Sequence, residues 1–154
     1  MESFSIREVI EQAVQTEKLG HEFYTKMSER FENDIKLKNL FNELALMEVA
    51  HEKIFSDLKN KISDENLENW DEAAKYLRAI VESEFFLGRN KSLPSLGYLN
   101  SVKDAVGYAL GFEKETLLYY VGLQQAISKN EVIDKIIDEE KSHIIWLSEF
   151  KKNL

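Results

Sequence analysis

Four stretches of this chain carry apolar residues in alternating steps of three and four, the spacing of helices packed into a bundle, and each stripe is broken at mid-length by a glutamate. The first stripe is Ile10, Ala13, Glu17, Gly20, Tyr24, Met27, Phe31; the second is Leu37, Phe41, Leu44, Glu48, His51, Phe55, Leu58, Ile62. The third is Val102, Val106, Ala109, Glu113, Thr116, Tyr120, Leu123, Ile127; the fourth is Ile133, Ile136, Glu140, His143, Leu147, Phe150, Leu154. In the second and fourth a histidine follows one turn after the glutamate, as Glu48-x-x-His51 and Glu140-x-x-His143. Residues three apart share a helix face, so each pair aims a carboxylate and an imidazole at one point. Such stripes predict an all-α bundle with a polar layer across its core.

The two halves of the chain repeat this register. Ala13, Glu17, Lys18 and Tyr24 superpose without a gap on Ala109, Glu113, Lys114 and Tyr120, and Glu48 and His51 superpose on Glu140 and His143. A repeated helical hairpin predicts a site near a pseudo-twofold axis.

Breakers are scarce, with one proline (Pro94) and six glycines, and the β-branched alternation of strands is missing. Ser5-x-x-Glu8 and Ser101-x-x-Asp104 can open the first and third long helices; Asp34 or Asn33 can start the second and Asn130 the fourth. Turns near Glu32 to Asp34 and near Ser128 to Asn130 are short enough to force antiparallel hairpins. Between the hairpins lies a connection of roughly residues 63 to 100, with a short helix from about Trp70 to Phe86, capped by Asn69-x-x-Glu72, and a loop from Gly88 to Gly97 holding Pro94. Two hairpins joined by one long crossover describe a ferritin-like four-helix bundle in which residues 1–154 form one domain.

Composition narrows the chemistry. With no cysteine, thiolate zinc sites, iron–sulfur clusters and a rubredoxin-type iron centre are excluded within this chain. A net charge of −8 argues against nucleic-acid or anionic-membrane partners. The sequence shows neither a signal peptide nor an apolar run of membrane-spanning length, and the expected location is the cytoplasm.

Four carboxylates and two imidazoles converging in a core would each cost several kcal/mol if left uncompensated, and crowded carboxylates cannot all ionise. Two divalent cations balance Glu17, Glu48, Glu113 and Glu140, while His51 and His143 add one nitrogen to each ion without adding charge. One glutamate from each of two helices plus Glu-x-x-His from each of the others is the di-iron or di-manganese carboxylate pattern. Mixed oxygen and nitrogen donors suit two iron ions, with manganese as the other candidate. Glu48 and Glu140 are the expected bridges. Tyr24 and Tyr120, two turns beyond Glu17 and Glu113, are placed to hydrogen-bond a ligating carboxylate. Gly20 and Thr116, one turn beyond the same glutamates, leave room beside the metals. His21, Glu52 and Glu139 fall off the stripes and read as solvated, and Trp70 and Trp146 as packing residues.

Glu17, Glu48-x-x-His51, Glu113 and Glu140-x-x-His143, with Tyr24 and Tyr120, resemble the di-iron domain of rubrerythrins within the ferritin-like superfamily, over nearly the whole chain. The resemblance implies an oxidoreductase that reduces hydrogen peroxide or O₂ at a binuclear site. Rubrerythrins receive electrons through a rubredoxin-like centre, so this cysteine-free chain would need a separate electron donor. They also carry a glutamate one turn after the third-helix ligand, where this chain has Thr116. The remaining six-ligand set is similar to the ferroxidase centre of bacterioferritins, but Val49 stands where those proteins place a haem-ligating methionine. The alternative is therefore an iron-binding protein that oxidises Fe²⁺ and stores it or hands it on, and a third class is a structural bundle without metal. A homodimer is compatible with this fold.

The register makes a direct prediction at position 116. Thr116→Glu is expected to retain binding of two ions but to change the ratio of the oxidation rates with peroxide and O₂, because it adds charge and takes up a free coordination position. Unchanged metal affinity, redox potential and rates would mean that position 116 does not face the metals.

Overall fold

The computed structural model describes residues 5–83, 97 and 99–154. Its helices are α1 (Ile6–Arg30), α2 (Ile35–Lys61), α3 (Trp70–Ser83), α4 (Val102–Ala126) and α5 (Glu131–Lys152), with a short 3-10 turn at Asp64–Asn66. Side-chain oxygens stop each long helix at its expected start: Ser5 accepts from the Glu8 amide, Asp34 from Leu37, Ser101 from Asp104, and Asn130 from Val132 and Ile133. Each satisfies an amide that the first turn leaves without an intrahelical partner.

The start of α3 differs from the expected cap. Asn69 lies at φ 48, in the left-handed region rather than the extended one usual for an N-cap, and its carbonyl accepts from the Ala73 amide at 3.1 Å. Asparagine tolerates that conformation better than most residues. The expected extension of this helix to Phe86, and the loop from Gly88 holding Pro94, lie outside the described residues.

α1 packs along α2 and α4 along α5, and the hairpins meet through α1 against α4 and α2 against α5. The crossover leaves α2 at one end of the bundle and enters α4 at the other. Its beginning is fastened to the turn between α4 and α5: the Glu68 amide donates to the Ala126 carbonyl at 2.8 Å, and the Ser128 amide to the Asn66 carbonyl at 2.6 Å. α3 then lies against α4.

The core is two apolar plugs. One gathers Ile6, Ile10 and Ala13 of α1, Phe55 of α2, Leu77 of α3, Tyr120 and Leu123 of α4, and Ile133 and Ile136 of α5. The other gathers Phe23, Tyr24 and Met27 of α1, Leu37, Phe41 and Leu44 of α2, Val106 and Ala109 of α4, and Leu147 of α5. Glu17, Glu48, His51, Glu113, Thr116, Glu140 and His143 are buried in the registers between them. The stripes hold with one exception at their tips: Leu154 lies beyond the end of α5 and is exposed. No helix among the described residues is long and apolar enough to cross a membrane.

Two glycines of α4 report how tightly α3 is seated. A Cβ on Gly122 would stand 2.6 Å from Tyr76 Cε1 and 3.0 Å from Leu77 Cδ2, whereas one on Gly111 meets nothing within 4 Å. Gly111→Ala is expected to gain up to ~1 kcal/mol from helix propensity, raising Tm by roughly 2–4 °C. In Gly122→Ala the same gain is offset by overpacking of about 1–3 kcal/mol, so its Tm should fall below that of the parent. Thermal unfolding followed by circular dichroism distinguishes the two; a rise in both would mean that α3 is not packed on α4 at Gly122.

Candidate metal centre

The six inward groups come from the middle turns of four different helices, where the regular ladder is best supported and fraying least. Glu17, His51, Glu113, Glu140 and His143 are fully buried, and Glu48 is 1% exposed. Their donor atoms fall into two groups, each with atoms within 4.8 Å of one another: Glu48, Glu113, Glu140 and His143, and Glu17, His51 and Glu140. Glu140 belongs to both. Its Oε1 lies 2.9 Å from His51 Nδ1 and its Oε2 lies 3.4 Å from His143 Nδ1, so each oxygen of one carboxylate faces a different imidazole. His51 Nδ1 is also 3.6 Å from Glu17 Oε1, and His143 Nδ1 is 3.5 Å from Glu113 Oε1. The rings lie nearly parallel, 5.9 Å apart and inclined by 20°.

Each tyrosine serves the opposite hairpin. Tyr24 of α1 donates its hydroxyl to Glu113 Oε1 of α4 at 2.5 Å, and Tyr120 of α4 donates to Glu17 Oε1 of α1 at 2.5 Å. The sequence placed both tyrosines beside a carboxylate, but their crossed pairing needs the α1–α4 contact. Thr116 is buried with its hydroxyl unpartnered. The space expected beside Gly20 is already taken: a Cβ there would stand 2.7 Å from Glu48 Oε2 and 3.0 Å from Phe112 Cε1. Glycine at position 20 therefore admits the Glu48 carboxylate, and Gly20 and Thr116 are not equivalent despite the repeat.

Glu139 was expected in solvent, being off the stripe; instead its Oε2 reaches 2.6 Å from His51 Nε2, with the side chain 28% exposed. No periodicity marks it, because it approaches the layer from the flank of α5 and touches a residue of α2. Glu52, also expected in solvent, is 3.9 Å from Lys18. His21 is exposed as expected, with Nδ1 3.2 Å from the Ala45 carbonyl. Trp146, expected to pack, is instead exposed, although its ring lies 5.5 Å from that of His143, whereas Trp70 packs against the plug that contains Tyr120.

The layer is electrostatically incomplete. Both oxygens of Glu48, both of Glu140, and Oε2 of Glu17 and of Glu113 have no well-directed hydrogen bond. An unsatisfied buried polar group costs about 1–3 kcal/mol, and more when charged. Burial, and then the charge of Glu17, pushes the Glu48 carboxyl well above its ordinary range. Burial and the neighbouring Glu140 push Glu113 up to about 8. Burial opposes charging of the histidines, but close carboxylates outweigh it: Glu140 and Glu17 raise His51 to about 11, and Glu113 and Glu140 raise His143 to about 10. Burial also works against Glu140, yet its close contacts with Glu113 and the two histidines hold it below its ordinary value. Burial raises both tyrosines further, with Glu113 next for Tyr24 and Glu17 next for Tyr120, so each stays a hydrogen-bond donor. Orphaned oxygens beside two inward nitrogens are the donor set that divalent cations of the iron or manganese type accept.

These shifts set the pH dependence of the metal-free protein. Ionised Glu113 is penalised only in the fold, so its contribution to stability is complete below its ordinary 4.5 and is lost as pH rises through about 8. The histidines contribute fully below 6.5 and lose that contribution as pH rises through about 10 to 11. Glu140 acts in the opposite sense, but only as pH falls below 4.5. Tm of the metal-free protein should therefore rise on going from about pH 8.5 to about pH 6, and metal that binds only the native state should raise it at both. A metal-free Tm that is flat across this interval would count against a shared buried site.

Comparison with known proteins agrees with this geometry. The family model described as Rubrerythrin matches residues 8–96, which include most of α1 and all of α2 and α3. A crystal structure at 2.30 Å resolution from Thermotoga maritima, described as that of a ferritin-like diiron-carboxylate protein, matches with a TM-score of 0.71 and 24% identity, covering 99% of this chain and 97% of that one. At that identity the likeness establishes the fold. No curated protein matches the chain in sequence. With more than half of its length matched to the family model, on a ferritin-like bundle whose core layer brings four glutamates and two histidines together, this chain belongs to the rubrerythrin family.

Proposed function

We propose that this protein is a di-iron carboxylate oxidoreductase that reduces hydrogen peroxide or O₂, with Glu17, Glu48, His51, Glu113, Glu140 and His143 as metal ligands. The observation that carries this reading is the pair of donor groups sharing Glu140, buried between two apolar plugs and left with orphaned oxygens. Two adjacent ferrous ions would supply two electrons to the oxidant, and manganese would fit the same donors.

The chain's own residues hold and shield the site. Tyr24 and Tyr120 fix Glu113 and Glu17 through one oxygen each, leaving the other oxygen of each carboxylate free. The apolar plugs keep bulk water from both ends of the layer, where electrostatic interactions are stronger than in water. Gly20 lets Glu48 lie against α1, and Thr116 offers a buried neutral hydroxyl one turn beyond Glu113. Peroxide needs two electrons and two protons to give two water molecules. With no cysteine in the chain, the electrons would come from a separate donor.

Anaerobic loading with Fe²⁺, followed by stopped-flow mixing with peroxide and separately with O₂, tests the reading. Two ions per chain, faster oxidation by one oxidant, and repeated turnover with an added reductant are the expected results. One oxidation per loading, with ferric iron retained or released and no turnover, would instead identify an iron-handling protein. Replacing both Glu48 and His51 by Ala should abolish occupancy of at least one position; binding like that of the parent would overturn the ligand assignment.

A further inference from the structure

The two histidines differ at the nitrogen that faces away from the centre. His51 Nε2 is 2.6 Å from Glu139 Oε2, a charge-assisted contact, while the other Glu139 oxygen lies 3.9 Å from Lys135 Nζ. His143 Nε2 is buried and has no hydrogen-bond partner, with the Trp146 ring tilted by 39° at 5.5 Å from its own. The repeat explains the difference. The offset that superposes Glu48 on Glu140 and His51 on His143 superposes Met47 on Glu139, and a thioether is only a weak acceptor.

A neutral imidazole that offers Nδ1 to a metal must carry its proton on Nε2. Glu139 accepts that proton's hydrogen bond from His51 and so fixes the tautomer, the ring orientation and a more basic Nδ1. In His143 the same tautomer leaves a buried N–H unsatisfied. We infer that Glu139 is a positioning residue that makes the two metal positions unequal, the His51 position binding its ion first and more tightly than the His143 position. This rests on the binuclear reading proposed above.

Anaerobic calorimetric titration with Fe²⁺ tests it. His143→Ala leaves the His51 position and His51→Ala leaves the His143 position, and the first variant should bind its single ion roughly 10–100-fold more tightly, the range seen when such outer partners are lost. Adding Glu139→Ala to His143→Ala should remove most of that advantage. Adding Glu139→Gln should retain much of it, because the amide oxygen still accepts from Nε2–H although the charge is gone. Met47→Glu in the His51→Ala background should tighten the weak position.

A readout without metal accompanies the titration. In ¹⁵N-histidine NMR of the metal-free protein, the Nε2–H of His51 should appear far downfield and lose that shift in Glu139→Ala, with His143 unaffected. Equal affinities in the two histidine variants, or a Glu139→Ala effect of the same size on both positions, would overturn the inequality while leaving the binuclear site standing. Absence of Fe²⁺ binding by the parent would overturn the site and this inference together.

Discussion

Four carboxylates and two imidazoles packed into one dry layer are the constraint on which the rest of this structure depends. Six groups drawn from four helices can meet only if each helix presents its mid-length turn at the same height. The apolar plugs above and below supply the burial that holds the helices there. Their contribution is spread over many side chains, each worth about 1.5–3 kcal/mol when fully buried. The polar layer draws on that stability until a cation compensates it, a division of labour in which the plugs fold the bundle and the layer binds.

The tyrosines join the two parts. Tyr24 and Tyr120 are each buried in a plug and each end in a hydroxyl on a carboxylate of the other hairpin. Packing and ligand orientation are thereby coupled: a shift of α1 against α4 would disturb an apolar contact and a carboxylate at once. The crossover matters to the same alignment, because its attachment to the α4–α5 turn and the seating of α3 on α4 secure the second hairpin.

The pseudo-twofold relation pairs the six inward residues by type in the sequence but not in their contacts, since Glu140 joins both donor groups and Glu48 only one. Gly20 makes way for Glu48 where the other half has Thr116, and Glu139 supports His51 where the other half has Met47. A duplicated hairpin thus yields a centre with two chemically different sides.

Local periodicity was enough to read the four long helices, their caps, the two hairpins and all six inward groups, since each of these depends on residues within one or two turns of each other. Glu17 and Glu113 stood out as charged residues on otherwise apolar faces, and the two Glu-x-x-His pairs as candidate ligands on a common face. Contacts between helices were a different matter. The crossed bonds from Tyr24 to Glu113 and from Tyr120 to Glu17, the split of the Glu140 oxygens between two histidines, the filling of the space at Gly20, and the reach of Glu139 to His51 were decided only by the tertiary structure. They depend on interhelical distance and side-chain rotamer, and residues on different helices carry no local signal of either.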